Sequence, residues 1–400
     1  GMKFTHYYSG STVSAPSRCS LLTGKHMGHA SIRGNAKVAG SDNLLYETPL
    51  PKGEVTVADL FKQKKYVTAC IGKWGLGGPG TEGEPGKHGF DYFYGYLGQK
   101  FSHSYYPHFL HENEQNIFLH GKEYSHDLML KKVLNFIEEK KETPFFLYFS
   151  PTLPHADLDI MDSLIMEYQG EFCEIPYTGS STSYKSQTYP RATYAAMVSH
   201  LDKSVGLIIE KLKEQGIYEN TIIIFTSDNG VHSEGGHDPY FFDSNGPFRG
   251  EKRDLYEGGI RTPFIVQWPK RIPKNVISNH ISAFWDFLPT ISELIDLNTP
   301  SDIDGISYLP TLLGEGLQKE HECIYYEFFE FGGKQSIMTL DGWKLIRLNV
   351  SDPLETEEEL YNIYFDPSET SNVIKQYPEI AKKLEIMIKK QRSNNTLFYF

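Results

Sequence analysis

A serine, an arginine, two lysines, a histidine and an acid–amide pair, spread from position 14 to position 252, have the types needed to hold an oxyanion beside a metal. Ser14 and Arg18 stand four apart in STVSAPSRCSLLTG, where Pro16 suits the first turn of a helix, so they share a face. A serine there is predicted to cap the helix, at the end where free N–H groups and the dipole favour a negative group. Lys73 follows the apolar run VTACIG, and His155 lies in SPTLPHAD behind a second run. Asp228-Asn229-Gly230 closes a third, and Lys252 sits in the glycine-rich tract GPFRGEKRDLYEGG. Singly, these read as a loop lysine, a surface histidine and a turn; at successive strand ends they describe one pocket.

Elements must bring them there. TVADLFKQKKY places Val57, Leu60 and Phe61 on one helical face, and residues 67–72 follow as a short buried strand. A helix over 125–141 with Leu130, Leu134 and Ile137 on one stripe leads to a strand over 144–150. A long helix over 192–215 carries Met197, Leu201, Val205, Ile208 and Leu212, with Gly216 as its stop. Strands over 221–228 and 263–269 follow. Apolar runs alternating with amphipathic helices predict an α/β fold with a large, mainly parallel (mixed) sheet flanked by helices. Ligands of such sheets gather at the carboxyl ends of the strands. After about residue 318 the pattern shortens to CIYYEFFE, KQSIMTLDGWKLIRL and ELYNIYFDP, then a helix burying Ile380, Leu384, Met387 and Ile388. This predicts a domain over 1–317 and a smaller C-terminal α+β domain with an antiparallel sheet over 318–400. Residues 169–189 read as a polar, irregular insertion.

Composition narrows the partners. A net charge of −12 without a broad basic face argues against nucleic acid or a long polyanion. An anionic substrate therefore needs its cations concentrated in one pocket. Tyr and Phe are abundant, which core packing accounts for. Cys19, Cys70, Cys173 and Cys323 lie far apart with no C-x-x-C pair, so no zinc ribbon or disulfide scaffold is indicated. No apolar run reaches the ~18 residues of a membrane span, and no signal peptide is recognisable.

The string S-A-P-S-R followed by L-L-T-G resembles the signature of the sulfatases, within the alkaline phosphatase superfamily. IGKWGLG, SPTLPHAD, TSDNG and GEKRDLYEGGIRTP follow in the order that family has them. The resemblance implies that Ser14 is the serine-type position oxidised by a maturase to formylglycine, whose hydrate attacks sulfur. Cys19 lacks the following Pro and Arg and is predicted to be a core residue. Arg18 would hold the formylglycine, and Lys73 would support its hydrate and the sulfate. His155 would protonate the leaving oxygen, and Lys252 would bind sulfate and leaving group. Asp228, Asn229 and the matured residue 14 would ligate calcium, or magnesium, as oxygen-only donors fit a hard cation. His29, Arg33, His232 and His237 are candidates for the pocket rim. The implied substrate is a sulfated carbohydrate or an aryl sulfate, and the implied location is periplasmic or secreted.

The sequence departs from the pattern in two places. Gly75 stands where the family commonly has histidine. The paired aspartate ligands of the family are expected on a strand upstream of Gly1. Two other readings therefore stay open: a phosphatase or phosphodiesterase using unmodified Ser14, and a non-catalytic binder of sulfated glycans.

Overall fold

The computed structural model describes residues 1–180 and 183–400, so residues 181 and 182 of the 169–189 insertion lie outside the description. The helix Val57–Gln63 begins at Thr56, whose hydroxyl accepts from the Asp59 N–H while the Asp59 carboxylate accepts from the Thr56 N–H. This reciprocal cap fixes where the helix starts and delivers the chain to the strand Val67–Lys73. That strand pairs in parallel with Tyr92–Tyr96 on one side and Phe145–Ser150 on the other. Phe109–Glu112 and Gln115–Phe118 extend the sheet antiparallel beyond Tyr92–Tyr96.

A second sheet has the order Ile223–Thr226, Phe264–Gln267, Met2–Phe4, Val276–Ser278. Only its last pair is parallel, since Phe264–Gln267 runs antiparallel to both neighbours. The fold is thus α/β with mixed sheets, as expected, but among the described residues parallel pairing is confined to one side of the first sheet, one edge of the second, and the short pair Tyr7–Tyr8 with Ser282–Ala283.

Two strand edges face each other. Among the described residues Phe145–Ser150 pairs only with Val67–Lys73, and Ile223–Thr226 only with Phe264–Gln267. Both line a cleft of about 1560 Å³. The helix Pro190–Glu214 lines it too, and Leu201, Val205 and Ile208 on that side are only half-buried.

Four antiparallel strands, Cys323–Phe328, Lys334–Thr339, Trp343–Leu348 and Glu357–Asn362, form the C-terminal sheet in sequence order. The helix Pro378–Lys390 covers one face, with Ala381, Leu384 and Ile388 packed against Tyr325, Ile337 and Leu345. The sheet is joined to the larger part by Lys344, whose ammonium lies buried between Glu257 at 2.9 Å and Glu369 at 2.8 Å.

Candidate active site

The helix Ser14–Thr23 is buried along its whole length and ends at Gly24 in the left-handed conformation. Its N-cap is Val13, which makes no side-chain cap; Ser14 is the first helical residue rather than the predicted cap. The turn is held instead by Ser17, whose hydroxyl accepts from the Gly10 N–H at 3.0 Å. Ser14 Oγ is therefore free of cap duty and lies 3.5 Å from both Lys73 Nζ and Asn229 Oδ1. One turn on, Arg18 ties three segments together. Its guanidinium donates to the Lys73 carbonyl at 2.6 Å and pairs with Asp228 Oδ2 at 2.9 Å. A longer contact reaches Tyr148 Oη at 3.4 Å.

Lys73 ends its strand with 3% of its surface exposed. Burial first, then the Arg18 charge, pulls its ammonium from the ordinary 10.5 down to about 7. The folded protein thus releases this proton near pH 7, whereas the unfolded chain keeps it to about 10.5. Between those values the unfolded state binds more protons, so stability rises with pH through that window. Lys73→Met is expected to raise the melting temperature most at or below pH 7, where a shift of this size corresponds to a penalty of a few kcal/mol. The gain should shrink as pH climbs toward 10. Melts that differ from wild type by a constant amount across that range would contradict the assignment.

Asp228 and Asn229 follow the strand Ile223–Thr226. Gly230 lets this turn press on the next segment, where a Cβ would lie 1.9 Å from the Gly258 carbonyl oxygen. Burial alone would push the Asp228 carboxyl up, but Arg18 and Lys73 together hold it below the ordinary carboxylate range. Ser14, Asp228 and Asn229 thus bring three oxygen donors together, one of them a carboxylate. The set suits a hard dication in kind, and such an ion takes six to eight oxygens.

The remaining groups come from two loops. His155 follows the strand Phe145–Ser150, and its Nδ1 must donate to the Ala156 carbonyl at 2.5 Å. Its Nε2 therefore accepts, and Lys252 Nζ stands 2.8 Å away. Burial, then the Lys252 and Lys73 charges, holds His155 well below the ordinary histidine range, so it is neutral in the ligand-free site. The Lys252 loop is stitched to the turn after Asn229 and to the segment ahead of Ser14. Lys252 N–H donates to the Val231 carbonyl at 2.7 Å, and Arg253 N–H donates to Thr12 Oγ1 at 2.8 Å. Ser14, Arg18, Lys73, His155, Asp228 and Asn229 all line one end of the cleft, where the two facing strands end.

Sequence reasoning misses two neighbours. Glu234 bonds to Lys252 at 2.7 Å and to Arg253 at 2.6 Å. The His103 ring stacks on His155 with centroids 4.8 Å apart. Glu234 stands between two histidines in VHSEGGHD that carry the stronger chemical signal; its place three residues beyond the acid–amide turn's glycine-valine pair is the available clue. His103 lies in an aromatic stretch with no periodicity to read.

The four rim candidates divide. His232 is buried, stacks 5.4 Å from His155, and its Nε2 donates to the Pro154 carbonyl at 3.2 Å. His237 is buried against Tyr194 at 3.6 Å between centroids rather than on the surface. His29 and Arg33 are not brought to the cluster. His29 Nδ1 bonds Asp304 at 2.7 Å, and Arg33 is buried in a pair with Glu327 at 3.1 Å. The carboxylates of Asp304 and Glu327 hold both side chains away from any rim. Gly75 has φ +74, and Gln99 lies 3.2 Å from where its Cβ would be, so backbone and space both favour glycine there. Cys19 is fully buried and burial pushes its thiol up to about 11. Cys19→Ala is expected to leave activity unchanged and to lower stability by roughly 1 kcal/mol. A loss of turnover without loss of folding would return Cys19 to the site.

The sulfatase family model matches residues 1–297. The chain belongs to the sulfatase family. A second family model, N-sulphoglucosamine sulphohydrolase, C-terminal, matches residues 247–394 of this sulfatase-family chain. N-acetylgalactosamine-6-sulfatase of Canis lupus familiaris is 31% identical over 82% of this chain and 62% of its own length. The chain therefore spans about three fifths of that relative. N-acetylglucosamine-6-O-sulfatase of Bacteroides thetaiotaomicron is 26% identical over 97% of this chain and 78% of its own. In fold the chain is similar to Ps i-CgsB, solved in complex with k-i-k-neocarrahexaose, at a TM-score of 0.79 over 100% of this chain and 87% of that one, with 24% identity.

Proposed function

We propose that this protein hydrolyses the sulfate ester of a carbohydrate, with Ser14 matured to formylglycine and a divalent metal beside it. The observation that carries this is the convergence of Ser14, Arg18, Lys73, Asp228, Asn229 and His155 at one end of the cleft, with Lys252 joined to His155 behind them. Two relatives named for 6-sulfates of N-acetylhexosamines support a sugar as the leaving group. Asp228, Asn229 and residue 14 would hold the metal, calcium or magnesium, which supplies positive charge next to the nucleophile when bound. The hydrated aldehyde supplies the attacking oxygen. A maturase would be required, and by its family the protein works in the periplasm or outside the cell.

The chain's own groups do the rest. Arg18 fixes Asp228 and the end of the Lys73 strand relative to residue 14. Lys73 and Lys252 are buried ammonium groups on a chain of net negative charge, so they concentrate positive potential where sulfate must sit. Burial and then their charges keep His155 neutral, and a sulfate entering between them opposes that effect by favouring its charged form. The Lys252–His155 pair then holds a proton at the leaving oxygen. Mass analysis of the residue 14 peptide from the native host tests maturation, because formylglycine is lighter than serine by two hydrogens.

A second reading has one observation in its favour. Lys73 titrates near neutrality and its Nζ is 3.5 Å from Ser14 Oγ, so it is placed to accept the proton of an unmodified serine. That reading gives a phosphatase or phosphodiesterase. Unmatured protein that cleaves phosphate esters but no sulfate ester would establish it.

A further inference from the structure

Glu234 touches none of the atoms that would react, yet it is bound to both groups on the leaving-group side. Its Oε2 lies 2.7 Å from Lys252 Nζ and 3.4 Å from His155 Nε2, and its Oε1 lies 2.6 Å from Arg253 Nη2. The turn that carries it, Glu234–Gly236, presses on the His155 loop: a Cβ at Gly235 would lie 2.7 Å from Ala156 Cβ. Lys252 is 9% exposed, and its ammonium is clamped between a carboxylate and a ring nitrogen that can only accept.

We propose that Glu234 is a positioning residue that keeps Lys252 protonated and aimed at His155, so that the pair offers one proton and one positive charge to the sulfate of an incoming ester. The proposal rests on the sulfatase reading above. A buried ammonium without a counter-ion loses its proton. Here burial pulls Lys252 below the ordinary lysine range and the nearby Arg253 pulls the same way, while Glu234 and Asp228 push it back. Glu234 itself is held down to about 2, because Lys252 and Arg253 outweigh its burial. The other titratable groups facing this knot are Lys73, His103, His232 and Tyr184. Of the two carboxylates that push Lys252 back up, Asp228 is taken by Arg18, which leaves Glu234 to Lys252.

The test uses the whole chain labelled with ¹³C-lysine, the Lys252 signal being assigned with Lys252→Arg. Glu234→Gln keeps the shape and removes the charge. The Lys252 titration midpoint is expected to fall in Glu234→Gln, to recover in part in Glu234→Asp, and to move upward in Arg253→Met. With an aryl sulfate, kcat/KM of Glu234→Gln should drop roughly tenfold or more at alkaline pH and little in mild acid, because the loss of one partner exposes the other buried charge. An unchanged Lys252 midpoint in Glu234→Gln, in a variant that melts as wild type does, overturns the proposal. If the midpoint shifts but wild type cleaves no sulfate ester at any pH, the activity assigned above falls and the hold of Glu234 on Lys252 stands.

Discussion

Ser14→Ala is expected to remove turnover of sulfate esters, by roughly 10⁴-fold or more, while the protein folds as before. The size follows from the role: a nucleophile and its partners act as a unit, so deleting it forfeits most of what the unit supplies. The small structural effect follows from the contacts. Ser14 does not cap its helix, and its Oγ reaches Lys73 and Asn229 only at 3.5 Å. Losing it should lower stability by roughly 1 kcal/mol, well short of unfolding the protein. The measurements are turnover of an aryl sulfate and a sugar sulfate by matured protein, together with a thermal melt. Undiminished turnover by Ser14→Ala would remove the nucleophile from this account.

His155→Ala should produce the second largest effect, and one that depends on the substrate. Proton donation to a leaving oxygen is typically worth 10²–10⁴-fold. A sugar alcohol needs that proton and an activated phenol hardly does, so the loss should be large for a sugar sulfate and small for an activated aryl sulfate. Lys252→Met should lose rate on both, because it removes sulfate binding as well as the donor to His155 Nε2. Equal losses on the two substrates for His155→Ala would place the proton elsewhere.

Residues that act through a local pattern were legible in the sequence. The Ser14–Arg18 spacing placed both on one helix, and the apolar runs ahead of Lys73, His155 and Asp228 became strands ending at one cleft. The Val57–Gln63 helix was readable from its stripe. What failed to show were features set by distant partners. Tyr92–Tyr96 carries tyrosine and phenylalanine on both faces, and the two strands after it are only four residues long, so neither period stands out. Whether a strand runs parallel or antiparallel depends on its neighbour, which is why Phe264–Gln267 could not be oriented from its own residues. Arg33 and His29 look like pocket residues in isolation, and only Glu327 and Asp304, nearly three hundred positions later, show where they go. Glu234 has the same history on a shorter scale: its meaning lies in Lys252.

Lys344, between Glu257 and Glu369, bears on how such a chain can be recombined. All three side chains are shut off from water, and Glu257 also receives Arg261 at 3.2 Å and the Tyr8 hydroxyl at 2.8 Å. Removing one member of a buried ionic group strands the others, at a cost of about 3–5 kcal/mol. A chimera that joined residues 1–317 of this chain to the C-terminal sheet of a relative would inherit Glu257 without any assurance of a lysine to meet it. A donor segment spanning 247–394 would bring Glu257, Lys344 and Glu369 together, but it would part Glu327 from Arg33, the other buried pair described above. The seam visible in the strand pattern is therefore not a place at which the molecule can be cut.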